Sequence, residues 1–257
     1  MVLSPFPLAR IFGPTLVILT TACGASTQAE PPDAGSFALA PPDAGSMEGP
    51  APGSRPVDAG YAFDGGGLSA DRFVTRVVSF TSGPCAGFGQ ASMPDVVYGP
   101  PFGAGDGQGG FDVVSLGVGG ELVVAFDNAI VDGPGDDFVV FENSFFAASD
   151  PRRPAADLAE ISVSEDGVTW ATFPCVARAY PFGACAGWHP VYSSPQSGLS
   201  PLDERAGGDR YDLAAVGLAR ARYVRIHDVG EDACPSKGIQ NLGFDLDAIV
   251  SLHAERP

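Results

Sequence analysis

The chain has 257 residues and a formal net charge of −17, a balance that opposes binding to nucleic acid or to an anionic lipid surface and makes divalent cations the natural counter-ions. Three scattered histidines leave imidazole catalysis and zinc chemistry poorly supplied. No Cys-x-x-Cys, Gly-x-Ser-x-Gly or His-Glu-x-x-His motif occurs, so redox, serine-hydrolase and zinc-protease readings lack their signatures.

Arg10 is the only charged side chain before a largely apolar run from Ile11 to Leu19, which ends in Thr20-Thr21-Ala22-Cys23. The run is too short for a permanent membrane span and has the form of a secretory signal core, so residues 1–22 are expected to be a signal peptide. The Thr-Thr-Ala-Cys ending resembles a bacterial lipobox. That resemblance implies cleavage before Cys23 and acylation of that cysteine, giving a membrane partner through lipid. Gly24 in the following position implies the outer membrane or cell surface. Residues 23–67 are rich in Pro, Ala, Gly, Ser and Asp, with Pro-Pro-Asp-Ala-Gly-Ser at Pro31 to Ser36 and again at Pro41 to Ser46, and Pro-Val-Asp-Ala-Gly at Pro56 to Gly60. Such a tract buries too little apolar surface to offset its ordering entropy and is expected to be a disordered spacer.

The remaining cysteines are even in number. Cys175 and Cys185 flank a short Pro/Gly-containing loop and are expected to bridge, leaving Cys85 with Cys234.

From 68 to 257, short strand patterns alternate with Gly/Pro/Asp loops and almost nothing has helical period. Phe73 to Thr81 is β-prone, and the long segment from Ser82 to Gly110 is expected to be packed by its own aromatics. Phe111 to Leu116 and Glu121 to Phe126 are expected to form a hairpin through Gly117 and Gly119-Gly120. The turn from Asp132 to Gly135 delivers Asp136 and Asp137 onto the strand Phe138 to Glu142. Asp157 to Ala159 is read as one helical turn. Ile161 to Trp170 is read as a hairpin with Ile161 and Val163 dry and Ser162 and Ser164 wet. Asp212 to Leu218 is a capped turn, and Arg222 to His227 and Phe244 to Leu252 are strands. About eight antiparallel strands predict an all-β, two-sheet jelly-roll sandwich with long loops.

The segments Ile161-Ser-Val-Ser-Glu-Asp-Gly-Val-Thr-Trp170 and Ala221-Arg-Tyr-Val-Arg-Ile226 resemble signatures of the discoidin-like, galactose-binding-like sandwich superfamily. From about Val74 to Ser251 the chain also resembles bacterial cell-surface lipoproteins carrying a DGPGDDFVVFEN block and a GFDLDA closing strand. The superfamily resemblance implies end loops that bind glycans, lipid headgroups or protein partners, and a structural calcium in many members.

Two sites follow from the residues. Asp136, Asp137 and Glu142, with Asp245 and Asp247 sharing one face of the closing strand, form an expected calcium site, because adjacent carboxylates repel unless a cation or donor intervenes. Trp188, His189 and Tyr192 form an expected ligand face for a glycan or a surface protein. The expected function is a non-catalytic binding or adhesion module. The alternatives are a carbohydrate-active enzyme or its accessory domain, and a purely structural envelope protein.

Overall fold

The computed structural model describes residues 36–37, 68–152, 154–230, 233–234 and 241–255. The signal peptide, Cys23 and all of the spacer except Ser36 and Phe37 lie outside these residues. The strands are β1 (Ser36–Phe37), β2 (Arg76–Thr81), β3 (Val114–Ser115), β4 (Glu121–Val131), β5 (Phe138–Glu142), β6 (Phe145–Phe146), β7 (Pro154–Ala155), β8 (Ala159–Ser164), β9 (Ala171–Thr172), β10 (Asp209–Tyr211), β11 (Arg220–Asp228) and β12 (Asp245–Ser251). One antiparallel sheet has the order β1-β2-β4-β11-β8-β9 and the other β10-β5-β12-β3, while β6 and β7 pair separately. Leu122 and Val124 of β4, Ile161 of β8 and Val224 of β11 share one buried cluster with Phe138 and Val140 of β5 and Leu246 of β12. The two sheets therefore face each other across a common core, as the strand pattern predicts for an all-β, two-sheet sandwich.

β5 explains itself from its sequence. Phe-Val-Val-Phe-Glu is buried at every position, and an unbroken apolar run is the signature of a strand covered on both faces. Phe138 and Val140 point into the shared core, whereas Val139 and Phe141 join Phe73, Val191, Ala206, Ala248 and Val250 in a second cluster. That outer cluster is roofed by two long loops. Gly103 N–H donates to Ser193 C=O at 3.0 Å and Gly105 N–H to Val191 C=O at 2.9 Å, tying the loops to each other. The expected bridges Cys85–Cys234 and Cys175–Cys185 are both present.

Several sequence expectations are corrected. β3 and β4 are not a hairpin, since β3 pairs with β12 in one sheet and β4 lies in the other. The glycines at 117, 119 and 120 turn a corner between layers, where a Cβ on Gly120 would sit 2.0 Å from Leu116 C=O. Asp157 to Ala159 makes no helical turn, because Ala159 opens β8. Ser162 and Ser164 are buried: Ser162 Oγ lies 2.9 Å from Thr172 Oγ1 and the Arg225 guanidinium sits 4.7 Å over the Trp170 ring, covering the face expected to be wet. Val168 is 80 % exposed in the turn, so it does not continue the alternation. β12 also departs from strict alternation. Its register against β5 shifts between Leu246 and Ala248, so Ala248 belongs to the outer cluster, whereas Leu246 and Ile249 both belong to the inner one.

Phe138 stacks on Tyr211 with ring centroids 5.0 Å apart and meets Phe173 edge-on at 6.0 Å. Replacing it by alanine opens a cavity at the centre of the inner core. Phe138→Ala is expected to cost about 3–5 kcal/mol and to lower the melting temperature by roughly 10 °C, at about 2–4 °C per kcal/mol for a domain of this size, as read by thermal unfolding.

Candidate functional site

Asp137 closes the corner between β4 and β5. It is fully buried, and its Oδ1 accepts from Gly133 N–H at 2.8 Å and lies 2.9 Å from His253 Nδ1, while its Oδ2 accepts from Leu213 N–H at 2.7 Å. Its own N–H donates to Tyr211 C=O and its C=O accepts from Leu252 N–H, each at 2.7 Å. Gly133 is required by close approach, since a Cβ there would stand 2.3 Å from His253 Nδ1. The Asp-Gly-Pro-Gly-Asp-Asp sequence is thus a corner whose main-chain donors satisfy the buried carboxylate. Asp136, the neighbouring residue, is exposed.

The opposite end of β5 is chemically different. Glu142 is 2 % exposed, and its Oε2 has no hydrogen-bond partner among the described residues. Burial pushes its carboxyl well above the usual carboxylate range, and the charges of Asp245, Asp157 and Asp209 add to that effect. Across the strand pair, Asp245 Oδ2 accepts from Asn143 Nδ2 at 3.2 Å. Burial raises its carboxyl to about 6, against partial relief from hydrogen bonding with Ser115, Asn143 and Asn241.

Asn143 and Asp245 face outward into a cleft of about 370 Å³ whose walls include Phe88, Phe111 and Phe145, with Asn241 beside them. Phe111 is 83 % exposed on its rim. On the other side of the same segment, Ser144 Oγ donates to His189 C=O at 2.6 Å. His189 Nδ1 lies 2.6 Å from Asp209 Oδ1, whose Oδ2 accepts from Gly187 N–H at 2.7 Å. Gly187 has φ +95°, and a Cβ there would meet Asp157 C=O at 1.9 Å, so only glycine fits. Trp188 packs edge-on against Tyr180 and Phe182 at 5.9 and 5.8 Å and donates its Nε1–H to Cys185 C=O at 3.1 Å.

The five expected calcium ligands therefore do not converge. Asp136 and Asp137 sit at the start of β5 and Glu142 at its end, pairing with Leu246. The strand itself separates them by roughly 16 Å, at about 3.3 Å per residue, so one cation cannot be shared by all five. Asp247 lies near the Glu142 end, where its Oδ2 accepts from Phe102 N–H at 2.7 Å. Among the described residues, Asp132, Asp137 and Asp212 do bring one oxygen each within 4.8 Å of the others. There Asp137 and Asp212 already accept main-chain N–H groups, Asp212 from Ala214 at 2.8 Å.

Of the expected ligand face, Trp188 and His189 stand together with ring centroids 3.7 Å apart. Tyr192 lies instead beside Gly207, with burial and then the Asp106 charge raising its phenol. Phe88, Phe111 and Phe145 escaped the sequence reading. Phe111 was read as the start of a strand, but β3 begins only at Val114 and leaves the ring, directly after Gly109-Gly110, outside it.

No family model and no curated protein sequence matches the chain. Among solved structures, the C-terminal domain of a chitobiase from Bacteroides fragilis is similar over 73 % of this chain and 97 % of that one, with 11 % identity and a TM-score of 0.33. A likeness at that level bears on neither activity nor ligand.

The two ends of β5 respond oppositely to loss of charge. Asp137→Asn places an amide N–H against a main-chain donor, which is expected to cost about 2–4 kcal/mol and to lower the melting temperature by roughly 5–15 °C. Glu142 and Asp245 have folded-state values above their unfolded ones, so the folded form binds more protons. Their contribution is full below their ordinary values of 4.5 and 3.8 and declines as pH rises, for Asp245 through about 6 and for Glu142 through its own raised value. Wild-type melting temperature is expected to fall between pH 4.5 and pH 8. Glu142→Gln flattens that decline and raises the pH 8 value by about 3–10 °C, from relief of about 1–3 kcal/mol of buried-charge cost.

Proposed function

We propose that the chain is an exported, lipid-anchored, non-catalytic binding module that recognises a carbohydrate at the end of the sandwich where β5 terminates. The observation that carries this reading is the cleft between Phe88, Phe111 and Phe145, with Asn143 and Asp245 on its polar side. Sugars present apolar ring faces that stack on aromatics and hydroxyls that donate to carboxylates and both donate to and accept from amide groups. A cleft of this volume is on the scale of a small-ligand site. Phe111 in particular is a large apolar ring held in solvent with no core to serve.

The non-catalytic part rests on Glu142. Glycoside hydrolysis needs two carboxyls flanking one scissile bond, and here Asp245 lines the cleft while Glu142 stays buried behind it. Anchoring rests on the Thr-Thr-Ala-Cys23 sequence, and display away from the membrane on the length of the spacer.

The test is binding of the mature chain to an immobilised glycan panel. Phe111→Ala is expected to weaken the strongest signal at least about tenfold, the scale of one stacked ring at about 1.5 kcal/mol, with the melting temperature unchanged. Bound glycans are expected to be recovered uncleaved. Binding indifferent to Phe111→Ala overturns the site, and product release overturns the non-catalytic assignment. Cys23→Ser is expected to abolish incorporation of a fatty-acid label.

A further inference from the structure

β2 would be a bare edge of the larger sheet if β1 did not lie along part of it, with Ser36 opposite Thr81 and Phe37 opposite Phe80. An uncovered edge strand is a template for further pairing. Beside this edge runs an apolar groove of about 440 Å³ lined by Val77, Phe80, Met93, Pro94 and Tyr98. Its wall is fixed from below, where Val77 N–H donates to Tyr98 Oη at 3.3 Å. Groove and edge together are the two components of strand-addition recognition: main-chain hydrogen bonds supply affinity and a pocket beside the strand supplies selectivity.

The occupant is written in the chain itself. Ser36 and Phe37 end the first Pro-Pro-Asp-Ala-Gly-Ser repeat and its next residue, and the second copy runs to Ser46 and is followed by Met47. The shorter third copy is followed by Tyr61. Each repeat is thus a polar, turn-forming unit followed by one large apolar residue, a pattern a plain spacer has no use for.

We infer that the edge of β2 and its groove are a docking site for the repeats of the chain's own spacer, which add there one at a time as a short antiparallel strand. Ser36 and Phe37, which end the first unit, lie along that edge in the structure, and the unit ending at Met47 has the same Asp-Ala-Gly-Ser-apolar order. The tether to Leu68 is long in both cases, about 30 and 20 residues, so it can span on the order of 60 Å or more and does not prevent either from reaching the edge. Because the repeats are alternatives, losing one has little effect and losing both exposes the strand. Docking holds part of the spacer against the domain and so shortens the effective stalk.

The test uses the whole lipidated chain in detergent. Hydrogen exchange across Arg76–Thr81 is expected to be nearly unchanged by Phe37→Asp and at least about threefold faster in the double variant Phe37→Asp, Met47→Asp, as local opening replaces a paired edge. Unchanged exchange in the double variant overturns the proposal. As a second measurement, Ser36→Cys with Thr81→Cys is expected to bridge within one chain under mild oxidation. A bridge between chains, or none, overturns docking of the chain's own spacer and in the first case identifies a second copy as the occupant. Neither experiment depends on the carbohydrate cleft, which lies among different residues.

Discussion

Buried carboxylates accepting main-chain N–H groups are the fastening on which this sandwich depends. Asp137 holds the corner between β4 and β5 to the turn after β10 and to the end of the chain. Asp228, at the end of β11, accepts from Gly119 N–H and Phe244 N–H, both at 2.8 Å, and so ties the corner before β4 to the approach to β12. Asp209 holds Gly187 and His189, and Asp247 holds Phe102. Long loops supply many main-chain donors that no neighbouring strand can satisfy, and a charged acceptor makes the stronger bond. The acidity of the chain is in part the acidity of a loop-rich fold that has used aspartate to satisfy its corners.

The sequence made the class of fold and the central strand legible for a physical reason. Phe138 to Phe141 has no polar position, so a two-sided environment was the only one available to it, and the observed bounds, Phe138–Glu142, coincide with the expected ones. The capped turn at Asp212 was equally local and was equally readable. What failed was non-local. The glycines between β3 and β4 have the chemistry of a hairpin, yet only the partners β12 and β11 decide that the chain changes layers there. Ser162 and Ser164 looked wet because alternation reports polarity, whereas their burial comes from Thr172, Trp170 and Arg225 elsewhere in the chain. The acids were read as one group because side-chain types cannot show that Asp137 and Glu142 stand at opposite ends of β5.

The candidate site illustrates the same division. Residues 142 to 145 distribute their side chains to different tasks: Glu142 lies buried against Asp245, Asn143 and Phe145 line the cleft, and Ser144 grips the His189 loop. One strand end thereby organises both the aromatic cleft and the Trp188 cluster. That concentration follows from β5 being buried on both faces, which holds the two long loops beside its end in fixed relation. Trp188 stood out in the sequence as an aromatic in a loop, whereas Phe111 was read as the first residue of a strand that in fact begins at Val114.

Asp247 is the residue at which β12 slips against β5. With the extra residue in place, Phe244 and Leu246 belong to the core while Asp245 looks out at Asn143. Deleting that one residue would bring Leu246 next to Ala248 just as Glu142 is next to Phe141, so the ladder would become regular with every pair and facing kept, and the loss would fall on Phe102 N–H, whose acceptor is Asp247. The closing strand thus carries one residue more than its ladder needs, and that residue serves the roof over the outer cluster rather than the cleft.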